Sequence, residues 1–532
     1  MIDKTNFDNN KTILIQKSIC KDLKEIFKKD YVFFIIIFLF AIIFHLILWK
    51  AFPLHFGPDG IIFADYFIDI FNKESVFPMI LTYRMPVSPL LYGFLLKTGG
   101  VILTSIICQT LSLICIPFIY LLANSWGKIA ARISAILLVI LVPFQILFHQ
   151  INSDALFGFA TIIMFVFFKY LIDNKNIKYA SFFGISTAFL VLIRPSGVFA
   201  IILIIFLFFI KIKFKLILKL IAIYAISFLI IISPFLTYKI IKFNDFSLSR
   251  GSNYMEFMRI YTLQEPLFKP ANGPYSGKLG KLAEEHLINS KFYKKYDVSF
   301  EKFLNHRPNR RFFGDLIVLV DKTQGWNTNY KLLRQVAFES IKSNPLSFLK
   351  NLSLDIFKLA IMEQALQESL HSEEIDNYRT TNLLKDESIY LEPDEGELIP
   401  FSKTWWMLSS PDNKLPTMQE LEEFDTKLIP LIQDLARSES NPRSYWLVKR
   451  FWNLIQLPFW IFWAFATISV ILSKKNQKLL AIAVISFYIV TIIGTLYSQP
   501  LYLRYRLPLD PLFILVGVSG FLSLFNNKKL IY

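Results

Sequence analysis

The feature that most constrains this chain is a series of apolar segments long enough to cross a lipid bilayer. Residues 31–49, 101–123 and 216–235 are three such segments. A helix of about 20 apolar residues spans the ~30 Å hydrocarbon core, and backbone in lipid must satisfy its hydrogen bonds internally. The sequence therefore predicts an all-α polytopic membrane protein. The first segment is long and lacks a small-residue cleavage pattern, so it is predicted to be an anchor and not a signal peptide.

About ten transmembrane helices are expected from the apolar pattern. Their approximate bounds are 31–49, 101–123, 131–148, 154–172, 179–192, 196–210, 216–236, 454–473, 478–497 and 508–525. An even number places both termini on one side. The predicted division is a cytoplasmic segment 1–30, a transmembrane catalytic module 31–236 that includes an outer loop 50–100, an extracytoplasmic insertion 237–453, and C-terminal transmembrane helices 454–532.

The charge distribution supports this orientation and argues against a nucleic-acid partner. The formal net charge is +16, yet residues 237–452 hold 29 basic and 29 acidic side chains. The whole excess therefore flanks the apolar segments, as the positive-inside bias requires. The N-terminus and the basic connectors between helices are therefore predicted to lie on the cytoplasmic side.

The insertion is too long and too rich in aromatic residues for a linker, and it is predicted to be mainly helical. One helical stretch, 349–366, either lies on the membrane surface or crosses it; the periodicity allows both. None of the three cysteines, Cys20, Cys108 and Cys115, falls in the insertion. No disulfide framework is therefore expected there.

Arginine is unevenly distributed between the two predicted sides. Outside the insertion, the inner side holds 20 lysines and one arginine, Arg132. The outer side holds four arginines: Arg84, Arg194, Arg504 and Arg506. A guanidinium forms a rigid fork that matches phosphate oxygens, so an outer phosphate site is one interpretation. Snorkelling at helix ends or salt bridges to the insertion is the other.

Carboxylates are sparse on the predicted outer side. Asp59 lies in a Gly-Pro-Asp-Gly sequence typical of a turn, and Asp154 begins the fourth predicted helix, where a capping role is the alternative. Asp65 and Asp69 share one helix face and are expected to be solvated. His55 and His149, near the two outer acids, are expected to fill interfacial space.

Carboxylates and arginines beside a membrane suit transfer of a sugar from a lipid phosphate. The phosphate leaving group needs charge stabilisation, which arginine supplies. The acceptor hydroxyl needs a base, which a single carboxylate supplies.

Five motifs in the right order resemble those of the GT-C membrane glycosyltransferases. They are Asp59 with Phe63 and the run YRMPVSPLLY at 83–92, Ser153-Asp154, IRPSG at 193–197, IKSNP at 341–345, and LRYRLPLDP at 503–511. Protein O-mannosyltransferases, lipid A aminoarabinose transferases and rhizobial core-polysaccharide transferases are the most similar members. The chain departs from the family pattern at Gly60, Phe63 and Ser88, which bears on donor and acceptor specificity.

The resemblance implies a polyprenyl-phosphate sugar donor and a cell-envelope acceptor that is a lipid, a polysaccharide or a protein. It implies Asp59 as the base, with Asp154 orienting the acceptor or supporting Asp59. It assigns the lipid phosphate to Arg84, Arg194, Arg504, Arg506 and Tyr505. Some members use a divalent cation, which Asp59 and Asp154 could hold through oxygen ligands; no other cofactor is implied.

Two other functions fit the same composition. A flippase or transporter of a lipid-linked saccharide is one, although internal repeats and midplane charges typical of transporters are missing from the sequence. A sugar-polymer ligase or polymerase is the other, and the nature of its donor would distinguish it.

Overall fold

The computed structural model describes most of the chain, and the architecture below refers to that part. The described residues are 18–57, 60–210, 212–261, 267–289, 310–361, 390–391, 399–400, 410–412, 414, 416–436, 440–498 and 503–526.

The N-terminal half consists of helices and one very short strand pair. The elements are α1 (Ile19–Lys29), α2 (Tyr31–Ala51), β1 (His55–Phe56), α3 (Gly60–Asp69), α4 (Pro78–Tyr83), α5 (Val87–Ala123), α6 (Lys128–Ile140), α7 (Val142–Leu147), β2 (Gln150–Ile151), α8 (Ser153–Asn174), α9 (Ile177–Ile193), a 3-10 helix (Pro195–Phe209) and α10 (Phe214–Phe243).

The insertion and the C-terminal part are also helical. They contain α11 (Ser252–Tyr261), α12 (Pro274–Ala283) followed by a π-helical turn (Glu284–Ile288), α13 (Arg310–Gln324), α14 (Lys331–Ser343), α15 (Pro345–Ile361), β3 (Tyr390–Leu391), β4 (Ile399–Pro400), α16 (Met418–Ala436), α17 (Pro442–Ile455), α18 (Phe459–Leu472), α19 (Lys475–Ser498) and α20 (Asp510–Asn526). Short 3-10 turns lie at Asn124–Trp126, Pro270–Asn272, Trp326–Thr328 and Leu503–Tyr505.

Five described helical segments are long and apolar enough to cross a membrane. They are Tyr31–Ala51, Val87–Trp126, Ser153–Asn174, Phe214–Phe243 and Lys475–Ser498. A sixth span would be formed by α17 and α18, which are bent by 47° at the break between them. The prediction of an all-α polytopic membrane protein is confirmed. The count of ten crossings stays a prediction, because several of the apolar helices are shorter than a full span.

The third predicted crossing, 131–148, is not one continuous helix. It breaks at Leu141, whose backbone is non-helical, and α7 restarts with Pro143 near its beginning. Proline lacks the N–H that would bond to the carbonyl four residues earlier, so it interrupts a continuing helix, and it is well tolerated in a first turn. The break turns the chain toward β2, which pairs with β1.

The bundle is held by closely packed apolar helices. Helix α9 packs between α8 and α10, and α18 packs along α20. Gly520 lets the last pair approach, because a Cβ at that position would lie 1.7 Å from the Phe465 carbonyl oxygen. One continuous apolar core runs through the described bundle.

Arg250, which contacts the outer loop, is held inside the insertion by a buried ion pair with Asp321, each side chain 1% exposed. Arg250 Nη1 lies 3.0 Å from Asp321 Oδ2, and its guanidinium carbon lies 3.4 Å from the centre of the Trp326 ring. The Arg250 backbone N–H donates to the Thr82 carbonyl at 3.1 Å. These contacts fix the chain just before Arg84 against the insertion.

The two ends of the bundle are chemically distinct. Helix α8 has Asp154 at its start and Asp173 near its end, about 28 Å apart at 1.5 Å per residue. Asp173 accepts from Asn476 Nδ2 at 3.3 Å, at the beginning of α19. The two faces are called the Asp154 end and the Asp173 end below.

Candidate active site at the Asp154 end

The strand pair β1–β2 brings the first outer loop against the start of α8. The two strands are parallel, with His55 opposite Gln150 and Phe56 opposite Ile151. Gly57 N–H then donates to the Ile151 carbonyl at 3.2 Å. Asp59 lies outside the described residues. Gly60, the next described residue, also lies against Ile151, because a Cβ on Gly60 would be 3.0 Å from the Ile151 oxygen.

Asp154 is buried at the N-terminus of α8, but it does not cap that helix. The cap is Asn152, whose Oδ1 accepts from the backbone N–H groups of Asp154 at 2.9 Å and Ala155 at 3.2 Å. Asn152 Nδ2 in turn donates to Gln150 Oε1 at 2.7 Å. The capping interpretation therefore belongs to the neighbouring asparagine, and the Asp154 carboxylate, 1% exposed, is available for another partner.

That partner is Arg194, which forms an ion pair with Asp154. Arg194 ends α9 with extended backbone, as expected for a residue that precedes proline. Its guanidinium carbon lies 5.1 Å from the Tyr505 ring centre and 6.0 Å from that of Phe157. The Arg194 side chain remains 12% exposed, whereas that of Asp154 is 1% exposed.

Tyr505 connects this pair to the segment before the last helix. It lies in the 3-10 turn Leu503–Tyr505 and is 6% exposed. The Arg504 guanidinium carbon lies 5.8 Å from the same ring. Three of the predicted phosphate-binding side chains, Arg194, Arg504 and Tyr505, thus lie together beside Asp154.

Arg506 has a different environment from its neighbour Arg504. It is fully buried and pairs with Asp510, with 3.2 Å between Nε and Oδ1. Its Nη1 donates to the Leu359 carbonyl at 2.6 Å, and its guanidinium carbon lies 4.0 Å from the centre of the Phe459 ring. Trp463 Nε1 donates to the adjacent Ala360 carbonyl at 2.9 Å. Arg506 therefore holds the end of α15 against the bundle.

Arg84 lies beside the insertion. Its guanidinium carbon is 4.7 Å from the Tyr83 ring centre, and Tyr83 stacks on Tyr254 of α11 with 5.8 Å between centres. Arg84 also interacts electrostatically with Tyr254. Arg84 thus lies against the Tyr83–Tyr254 stack, whereas Arg194 pairs with Asp154.

The expectation that Asp65 and Asp69 lie on a solvated face is wrong. Asp65 is 3% exposed and Asp69 is 0% exposed. Asp69 accepts hydrogen bonds from Ser75 Oγ at 2.5 Å, Val76 N at 2.8 Å and Phe77 N at 2.9 Å. Burial raises the pKa of Asp69 despite these bonds. Through these hydrogen bonds the Asp69 carboxylate holds the loop between α3 and α4. The helical spacing of Asp65 and Asp69 does not reveal this role.

A buried polar network beneath β1–β2 also escaped the sequence interpretation. His45 Nδ1 lies 3.4 Å from His149 Nε2, and His45 Nε2 lies 3.2 Å from Ser112 Oγ. Ser112 donates to Gln145, whose Nε2 donates to the Leu138 carbonyl at 2.6 Å. His149 is a core residue at 0% exposure, not an interfacial one. The only sequence signal was a polar residue inside each of several apolar segments.

A divalent-cation site is not assembled among the described residues. No group of three His, Cys, Asp or Glu side chains that could hold a metal ion occurs there. Asp59, one of the two predicted oxygen ligands, lies outside the described part.

Fold and site together define an all-α polytopic membrane protein with a carboxylate–guanidinium cluster at one end of its bundle. No protein-family model matches the chain, and no curated protein matches it. Among solved structures, the chain is similar to the Archaeoglobus fulgidus oligosaccharyltransferase tethered with an acceptor peptide that contains the NVT sequon. The identity is 13% and the TM-score 0.29, over 84% of this chain and 58% of that one. A likeness this distant assigns no activity.

Proposed function

We propose that this chain is a glycosyltransferase that moves a sugar from a polyprenyl-phosphate donor to an extracytoplasmic acceptor. The observation that carries the proposal is the meeting of Asp154, Arg194 and Tyr505 at one end of the bundle. These residues come from three separate segments, and nothing in their local helices requires them to meet.

Arg194 has the features of a phosphate ligand. Asp154 holds one side of its guanidinium, and the Tyr505 ring lies 5.1 Å from its central carbon. Five N–H donors are present on a guanidinium, so a single carboxylate leaves several for phosphate oxygens. A guanidinium fixed in this way stabilises the charge that develops on a departing lipid phosphate. The Arg504 guanidinium, whose carbon lies 5.8 Å from the centre of the same Tyr505 ring, adds positive charge.

Asp59 is the proposed base. The acceptor O–H gives its proton to the Asp59 carboxylate while the acceptor oxygen bonds to the anomeric carbon. The bond from that carbon to the phosphate oxygen breaks, and the lipid phosphate leaves. One carboxylate is enough for this direct, inverting displacement. The contacts of Gly57 and Gly60 with Ile151, three positions before Asp154, support pairing Asp59 with the cluster.

The insertion is the proposed acceptor-binding part, and the Asp154 end is proposed to face away from the cytoplasm of a bacterial inner membrane. Arg84, packed on Tyr83, which stacks on Tyr254 of α11, would lie between the insertion and the donor site. Binding of a lipid, a polysaccharide or a protein to the insertion would identify which of these is the acceptor.

The test is mass spectrometry of lipids that co-purify with the protein. Wild type should retain a polyprenyl-phosphate sugar, and Arg194→Gln should retain about tenfold less, because a charged hydrogen bond of roughly 1.5–3 kcal/mol is lost. The control is Lys219→Gln, which replaces an exposed lysine on α10. It should retain as much of the lipid-linked sugar as wild type does.

A second measurement separates binding from chemistry. Asp59→Asn should still retain the lipid-linked sugar but should not transfer it. Full transfer by Asp59→Asn would remove Asp59 as the base. Recovery of the intact sugar lipid on the opposite leaflet of proteoliposomes, with its sugar–phosphate bond unbroken, would support the transporter instead.

A further inference from the structure

A polar crevice lies at the Asp173 end of the bundle, away from the proposed active site. Its volume is about 810 Å³. It is lined by α1, the inner end of α5 with the turn that follows, α6, the end of α8, and the start of α19. Five lysines and three carboxylates are among its lining side chains, so the charge inside it is net positive.

The three carboxylates are already engaged by groups of the protein. Asp22 accepts a hydrogen bond from the Tyr170 hydroxyl, and Glu25 pairs with Lys29. Asp173 pairs with Lys169 at 3.1 Å and accepts from Asn476. Glu25 and Asp173 are thus each paired with a lysine, whereas Asp22 is bonded to a neutral hydroxyl and keeps its charge.

Two of the lysines differ from the rest. Lys128 pairs with Asp30 at 3.1 Å, and Lys29 and Lys169 pair as described. Lys474 and Lys475 are both exposed, and neither forms an ion pair with another residue of the described part of the chain. They supply the uncompensated positive charge of the crevice. Ile26, Leu121 and Leu480 also line the crevice, so it offers an apolar surface beside the lysines.

A crevice with this lining suits one class of ligand. Anionic headgroups of the cytoplasmic leaflet attract basic side chains near the membrane surface by about 1 kcal/mol per residue. Asp173 ends a membrane-spanning helix and Lys475 begins another, which is the depth of lipid phosphates. We infer that the crevice binds the phosphate headgroup of an anionic phospholipid in the leaflet opposite to Asp154, with Lys474 and Lys475 as its ligands.

The experiment uses the full-length protein in detergent, with phosphatidylglycerol as the probe and native mass spectrometry as the readout. The double variant Lys474→Gln/Lys475→Gln should bind phosphatidylglycerol about thirtyfold more weakly than wild type, since two surface cations worth about 1 kcal/mol each are lost. The control is Lys215→Gln/Lys219→Gln, which removes two exposed lysines from the predicted inner end of α10. It should leave binding close to that of wild type, because neither lysine lines the crevice.

Three results would overturn the inference. The first is equal binding by the two double variants. The second is equal binding of phosphatidylcholine and phosphatidylglycerol to wild type. The third is competition by inorganic phosphate at millimolar concentration, which would assign the crevice to a soluble phosphate compound.

Because Lys474 and Lys475 are exposed, thermal unfolding of their variant should match that of the control. The result is independent of sugar transfer.

Discussion

At the scale of single residues, the position of Asp154 separates two interpretations that its sequence context left open. A carboxylate in the first turn of a helix is usually explained by capping or by the helix dipole. Here the capping bonds come from Asn152, and Asp154 is directed to a guanidinium from another helix end. Its pairing with Arg194, forty positions along the chain, is a tertiary feature.

The guanidinium of Arg194 should not be replaceable by an ammonium. Arg194→Lys keeps the charge but loses the planar fork that would serve Asp154 and a phosphate together. We expect the rate of sugar transfer to fall about a hundredfold, the usual effect of removing one donor to a developing charge. Steady-state transfer assays in proteoliposomes would measure it. Arg132→Lys at the Asp173 end is the control, and an equal loss there would point to general destabilisation.

Removing one partner of the Arg250–Asp321 pair should lower the stability of the protein much more than replacing both partners by apolar residues. Arg250→Met leaves a buried carboxylate without its partner, which typically destabilises a protein by about 3–5 kcal/mol. The double variant Arg250→Met/Asp321→Leu removes both charges and should recover most of that loss. Thermal unfolding in detergent would measure both. Equal destabilisation by the single and double variants would contradict this account.

At the scale of helices and strands, the apolar pattern predicts where helices occur better than it predicts whether each helix is continuous. Predicted segments 31–49, 154–172 and 478–497 correspond to α2, α8 and α19. The segment 131–148 breaks at Leu141, and 196–210 forms a 3-10 helix. Composition reports whether a segment can enter lipid. It does not report where a proline or a neighbouring strand interrupts the helix.

The close contact of α18 with α20 gives a prediction with an internal control. In Gly520→Ala the new Cβ would meet the backbone oxygen of Phe465, which cannot yield as a flexible side chain would. We expect a loss of about 1–3 kcal/mol. Gly277→Ala in α12 meets only the Pro270 oxygen at 3.5 Å and should stabilise by roughly 0.5–1 kcal/mol. Thermal unfolding would compare them, and a stable Gly520→Ala would contradict the packing.

At the scale of the whole molecule, pairings between distant segments determine the site, and the sequence indicates only their ingredients. The excess of outer arginines pointed to Arg194 and Arg504 but could not separate them from Arg506, which is buried against Asp510. The histidine network and the closed Asp69 loop likewise join residues far apart in the chain or hidden from solvent. The residue types of the site could be read from the sequence, whereas their partners could not.

The orientation of the bundle can be tested by chemical labelling. Cys20 is exposed on α1, whereas Cys108 and Cys115 are buried. Cys20 belongs to the predicted cytoplasmic segment, which a membrane-impermeant maleimide does not reach in intact cells. This reagent should therefore leave the wild-type protein unlabelled. The variant Lys73→Cys, at an exposed position in the outer loop, should be labelled. Labelling of Cys20 before the cells are lysed would invert the assigned sidedness.

The contact of Arg506 and Trp463 with the end of α15 has a practical consequence for chain engineering. Those side chains belong to the C-terminal helices, yet their acceptors, the carbonyls of Leu359 and Ala360, belong to the insertion. A boundary drawn at residues 237 and 453 therefore cuts through a shared buried interface. Excision of the insertion would strand a guanidinium inside the bundle, and a chimera made with a related protein must exchange α15 together with α18 and the segment that holds Arg506.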